Sequence, residues 1–332
     1  MRIRERLKMK NLRIINRLMA AGALCLSAMT AAGCTVRAVP SPGVAAASAN
    51  SILSGTKSAS GITGLSEQTN QTTTSAAEET TTAASVRKIS SIEITDDILA
   101  ADTTSYDTGA RADDRDTSNV PNGYRYYMTN WGTSYNASWL GDTAQNIIYL
   151  TFDCTGPEAN VPAILSTLKD TGVKATFFVT QDFVDEQPQL VQQIIDDGHT
   201  LGNGSVSYPS AGEPSLSPEE QVQDIMPLED SVYNTYNYEM QYFRFPNGRF
   251  SDQSLLIAQK MGFRSIFWSF TYTDTEASAA EALQTMEQEI HPGEIMRLGV
   301  RSDGVSGALA EYIQYAHDQG FKFAVFGSDD RY

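Results

Sequence analysis

The residues best suited to chemistry lie in the second half of the chain. Asp153 and Cys154 close an apolar run that begins at Ile147. A carboxylate in that place suits general-base work on a water molecule. The thiol beside it suits nucleophilic attack only if a base or a positive field draws off its proton. The chain has three histidines, His199, His291 and His317, in three separate stretches. Each reads as structural, and none stands near the thiol in sequence. The Asp153 charge also disfavours a thiolate. Cys154 therefore reads as a packed, inert thiol. Arginines offer a different chemistry. Side chains along a strand alternate faces, so Arg297, Gly299 and Arg301 point the same way if the strand stays regular. Guanidiniums on one face, with Arg244 nearby, suit an anionic group.

These residues need elements to position them, and the pattern supplies a β/α alternation. Strands are expected at 147–152, 175–180, 199–201, 242–245, 265–268, 295–298 and 322–326. Helices are expected at 161–168, 183–195, 217–236, 251–261, 276–289 and 307–319. Ser217-Pro218-Glu219-Glu220 is a capping box with proline at the first helical position. Strands alternating with helices imply an α/β fold with a parallel sheet. About seven strands favour a closed or nearly closed (β/α) barrel, with an open doubly wound sheet as the alternative. In both, function sits at the carboxyl ends of the strands. The segments there are Asp153-Cys154, Asn203 to Ser210, Arg244 to Gly248, Trp268 to Thr275 and Gly299 to Ser302. Tyr208, Phe245, Phe250 and Tyr272 are aromatic candidates for stacking on sugar rings.

Five ordered blocks carry a resemblance. They are Thr151-Phe152-Asp153-Cys154, Lys174 to Val179, Arg244-Phe245-Pro246-Asn247-Gly248, Trp268-Ser269-Phe270 with Asp274, and His291-Pro292-Gly293. Together they resemble the polysaccharide deacetylase family, or NodB homology domain, and within it the peptidoglycan N-acetylmuramic acid deacetylases. The resemblance implies a distorted (β/α) barrel of about seven parallel strands. It implies hydrolysis of an N-acetyl group on an amino sugar, with a divalent metal such as zinc polarising the carbonyl. By the same resemblance Asp153 is the retained base. Arg244 holds it, and Asp274 completes a charge network. Pro246, Gly248 and Tyr208 fall at binding positions.

The remaining family positions are degenerate. Cys154 stands where a metal-binding carboxylate is expected. Gly202-Asn203-Gly204-Ser205-Val206-Ser207-Tyr208-Pro209 resembles a block with two metal histidines, replaced here by Gly204 and Tyr208. Leu298-Gly299-Val300 resembles a block whose histidine protonates the leaving amine, and Gly299 has replaced it. No metal cofactor is therefore expected. The expectation is a network of Asp153, Arg244 and Asp274, with Arg297 and Arg301 turned toward an anionic ligand.

The amino-terminal half reads differently. All 13 Phe, 3 Trp and 15 Tyr lie at or after Tyr106 in the 332 residues. A basic stretch, Arg2 to Arg17, precedes an apolar run of 16 residues, Leu18–Gly33, too short for a membrane span and suited to a signal peptide. Ala31-Ala32-Gly33-Cys34 resembles a bacterial lipobox, so residues 1–33 are expected to be a lipoprotein signal peptide and Cys34 the lipidated residue. Cleavage removes Cys25 and lipidation consumes Cys34. That leaves Cys154 alone, with no intramolecular disulfide. Residues 34–120 are expected to be a disordered Ser/Thr-rich linker and 121–332 the deacetylase-like domain. A weak isolated strand is possible at Ile92–Ile94.

The formal charge is −16. Without residues 1–33 it is −22, from 17 basic and 39 acidic residues. Such a polyanion repels nucleic acid and anionic lipid, so membrane attachment has to come from the anchor. Three functions remain. One is an inactive homologue on the outer face of the cytoplasmic membrane that binds peptidoglycan or a related amino-sugar glycan. Another is an active N-deacetylase with a rewired site. The last is a structural or regulatory surface lipoprotein with no ligand.

Overall fold

The computed structural model describes residues 92–108 and 114–328. The expected signal peptide, Cys34 and most of the expected linker lie outside the described residues.

Nine strands form one sheet, and every pairing within it is parallel. They are β2 (Ala137–Ser138), β3 (Ile147–Cys154), β4 (Thr176–Val179), β5 (Thr200–Asn203), β6 (Tyr242–Phe243), β8 (Arg264–Ile266), β9 (Phe270–Tyr272), β10 (Glu294–Gly299) and β11 (Lys322–Phe323). The order is β2-β8-β6-β5-β4-β3-β10-β9, with β11 on the start of β3. The two ends of this order do not pair with each other, so the sheet is a curled half-barrel, as parallel twisted strands with short loops permit. Strand β3 is central and nearly all apolar, the pattern of a strand covered on both faces.

The helices follow capping and periodicity. Ser217, Ser251 and Ser278 each accept the N3 amide of the helix they open. The expected helix over 183–195 is two, α4 (Gln181–Glu186) and α5 (Pro188–Asp196), because Pro188 starts a new first turn after Gln187. Helix α6 (Pro218–Tyr236) runs through Pro227 without interruption. A main apolar core lies between sheet and helices, built on side chains such as Phe152, Phe177, Phe243, Phe267 and Tyr312.

The expected linker as far as residue 120 is corrected over its described part. Helix α1 (Asp96–Ala100) buries Ile98 completely against Val222, Met226 and Ile257. Ile92 and Ile94 are half-buried against the same cluster and form no strand. Strand β1 (Tyr106–Asp107) pairs antiparallel with β7 (Arg249–Phe250). Thr108 is buried and accepts a hydrogen bond from Trp139 Nε1. One isoleucine and one tyrosine carry this strap. Their signal was too short to stand out against the polar sequence around them.

Candidate functional site

Asp153 lies next to the end of β3, with its side chain on the same face as Thr151. Two arginines converge on it. Arg244, just past β6, is 1% exposed, and its Nη1 lies 3.0 Å from Asp153 Oδ1. Strand β6 is three places from β3 in the sheet order, so only the curl of the sheet brings them together. The guanidinium is fully engaged. Nη1 also donates to Thr151 Oγ1 at 2.7 Å, Nε to the Ile266 carbonyl and Nη2 to the Phe267 carbonyl. Its flat face lies 4.1 Å from the Phe178 ring centroid.

Arg297 comes from β10, where it is in register with Thr151 of β3. Its Nε lies 2.5 Å from Asp153 Oδ2. Its Nη2 reaches the Tyr208 hydroxyl at 3.5 Å, and its face covers Trp268 at 4.7 Å. Arg297 remains 20% exposed, so one edge faces the cleft.

Burial by itself would raise the Asp153 pKa, but the charges and hydrogen bonds of Arg297 and Arg244 outweigh it and hold the carboxyl below its ordinary value. Asp153 is therefore held as an anion with one arginine on each oxygen.

These groups floor a cleft of about 310 Å3 at the carboxyl ends of the strands. Asp153, Tyr208, Arg297 and Arg301 line it, as expected from sequence, and so does Gly299. Other expectations are corrected. Asp274 is exposed, accepts the Glu276 amide and stands outside the Asp153 network; Arg297 takes the place expected of it. Pro246 and Gly248 are buried and do not line the cleft, and a Cβ on Gly248 would strike Trp268 and Thr108. Asn247 between them, at φ 56°, is the residue that lines the cleft. Phe245 and Phe250 are core residues, not stacking platforms. Strand β10 ends at Gly299, so Arg301 lies in a turn and not on the Arg297 face. Its side chain, 62% exposed, clamps the buried Glu158 carboxylate, with Nε 3.0 Å from Oε2. Glu158 was missed from sequence because an acid in a polar loop looks like any surface acid.

The family implies a divalent metal, and the donor set does not fit one. Cys154 is completely buried in the core, and burial, then Glu158 and Asp153, push its thiol well above the usual range. Gly204 offers no side chain, and a Cβ there would sit 3.0 Å from the Val179 carbonyl oxygen. The Tyr208 hydroxyl is held by Arg297 and the Asn247 amide. A cation would also meet two guanidiniums beside Asp153. Among the described residues no three His, Cys, Asp or Glu are grouped to hold a metal. The histidines are structural: His199 accepts the Ala175 amide, and burial lowers both His199 and His291 to about 4.

Residues 140–266 match the model of the polysaccharide deacetylase family. The peptidoglycan-N-acetylmuramic acid deacetylase PdaA of Bacillus subtilis is 34% identical over 195 residues, 57% of this chain and 73% of the relative. The chain belongs to the polysaccharide deacetylase family. The structure of Bacillus subtilis PdaA, a family 4 carbohydrate esterase, superposes with a TM-score of 0.62 at 29% identity, covering 67% of this chain and 95% of that one. A family 4 pseudoenzyme from Bacillus anthracis superposes with a TM-score of 0.52 at 26% identity, covering 56% and 66%.

Proposed function

We propose that this chain is an exported, lipid-anchored family member that binds peptidoglycan or a related amino-sugar glycan in the cleft and does not hydrolyse it. One observation carries the reading: both oxygens of Asp153 are bound by Arg244 and Arg297. Each oxygen gives a lone pair to a cation, and the two charges hold the carboxyl below its ordinary value, which weakens it as a base toward water. The degenerate metal positions Cys154, Gly204 and Tyr208 and the lost acid position Gly299 support the same reading. The substrate class is taken from relatives that are named as peptidoglycan deacetylases. A structural relative named as a family 4 pseudoenzyme supports the same reading. Tyr208, Asn247 and the open edge of Arg297 offer the wall of a sugar site.

The test is acetate release by the purified chain from N-acetylated peptidoglycan and chitin oligomers, with zinc or cobalt added, beside pull-down on the same glycans. The expected result is retention on glycan and no acetate above the Asp153→Asn control. Acetate that disappears in that control would overturn the reading in favour of a rewired deacetylase. No retention and no acetate would leave a structural or regulatory surface protein. Palmitate labelling that depends on Cys34 checks the anchor.

A further inference from the structure

The side chains that line the cleft carry more hydrogen-bond donors than the protein uses. Arg297 is held along its Nε edge by Asp153 and beneath its face by Trp268. Its Nη1 meets no acceptor among the described residues. The Tyr208 hydroxyl accepts the Asn247 amide at 3.4 Å and lies 3.5 Å from Arg297 Nη2. Both neighbours are donors, so the hydroxyl's own hydrogen has no acceptor among the described residues. Thr273, packed against Gly299, and Thr275 add two hydroxyls to the lining. The two carboxylates of the lining already serve arginines. Each Asp153 oxygen faces one guanidinium, and both Glu158 oxygens face Arg301.

Charge points the same way. Arg244, Arg297 and Arg301 stand against Asp153 and Glu158, an excess of one positive charge. No other charged side chain lines the cleft. Arg301 is neutralised by Glu158, and Arg244 is 1% exposed with every guanidinium nitrogen bound. The excess is therefore presented at the open edge of Arg297.

The cleft, about 310 Å3, is at the small end of ligand pockets and suits a single sugar unit. A neutral sugar laid over the Arg297 edge would strip water from a charge and return only hydroxyl oxygens. A carboxylate returns two anionic acceptors that match a guanidinium fork. One excess charge also matches a carboxylate better than the dianion of a phosphate ester.

We propose that the cleft selects a sugar that bears a carboxylate, held between the Nη edge of Arg297 and the Tyr208 hydroxyl, over the neutral sugar of the same ring. The selection rests on the glycan-binding reading and narrows it to acidic sugars. Arg297 and Tyr208 are then the residues that determine specificity. Arg301, already paired, walls the site without reading the charge.

The experiment is titration calorimetry of the purified chain with sugars in matched pairs, glucuronate against glucose and N-acetylmuramate against N-acetylglucosamine, with glucose 6-phosphate beside them. The wild type should bind the acid of each pair about tenfold or more tightly than its neutral partner, the scale of one charge-assisted contact. Added salt should narrow the gap. Arg297→Gln should erase the preference. Tyr208→Phe, which removes only a hydroxyl, should weaken it, and carries the comparison should Arg297→Gln fail to fold. Equal affinity within both pairs, or a preference that survives in Arg297→Gln, overturns the proposal. Tighter binding of the phosphate overturns it in favour of a phosphate site. Pull-down on glycan separates the selection from the reading beneath it: glycan retained with no preference for acid removes the selection alone, and nothing retained or bound in either assay removes both.

Discussion

The Arg297 Nε lies 2.5 Å from Asp153 Oδ2, on the side of the carboxylate opposite Arg244. In register terms Arg297 stands level with Thr151, two residues short of Asp153, so its side chain must reach along the strand to make the contact. The carboxylate that the family uses as a base is here the centre of a three-residue ion cluster with net positive charge, in a chain whose overall charge is −16.

That cluster makes the two arginines unequal. Arg244→Ala leaves a buried cavity and an undercompensated Asp153, and should cost about 3–5 kcal/mol in urea denaturation, the range for breaking a buried pair. Arg297→Ala, on the open side, should cost less than half as much and abolish glycan retention. Equal stability losses in the two variants would contradict the division of roles.

Cys154 should resist alkylation. It is fully buried with its thiol pKa raised, so iodoacetamide should label it only on unfolding, in a chain with Cys25 and Cys34 replaced by serine. Labelling of the native protein at the rate of a free thiol would show a reactive nucleophile instead.

Mild acid should destabilise the domain through its buried histidines. His199 and His291 are lowered to about 4, so the unfolded chain takes up protons that the fold refuses. Stability should fall as pH drops from the ordinary histidine value toward about 4. A protonated His199 carries a hydrogen on both ring nitrogens and cannot accept the Ala175 amide. Asp153 adds a second loss at lower pH, because its depressed value contributes stability above the ordinary carboxylate range that disappears as pH falls through it. His199→Gln should flatten the upper part of the curve, and thermal midpoints over a pH series would read both.

The strap before residue 121 should be part of the folding unit. Ile98→Ala removes a fully buried side chain and should cost about 2–4 kcal/mol. A chain beginning at residue 121 should melt well below one beginning at residue 92. Identical melting would mean that the strap is an accessory.

Much of this protein was legible in its residues. The β/α order followed from periodicity and capping, because apolar runs and serine caps are local signals. The replacement of the family's histidine positions was legible as Gly204, Tyr208 and Gly299, since a side chain that is absent cannot be supplied by folding. Other features were decided only by tertiary structure. Arg244 and Asp153 are 91 residues apart and on strands three places apart, and the curl of the sheet alone sets their contact. Strand β10 stops at Gly299, which sends Arg301 to Glu158 and leaves Arg297 to take the second side of Asp153. Asp274, a partner by the family resemblance, turns out to solvent.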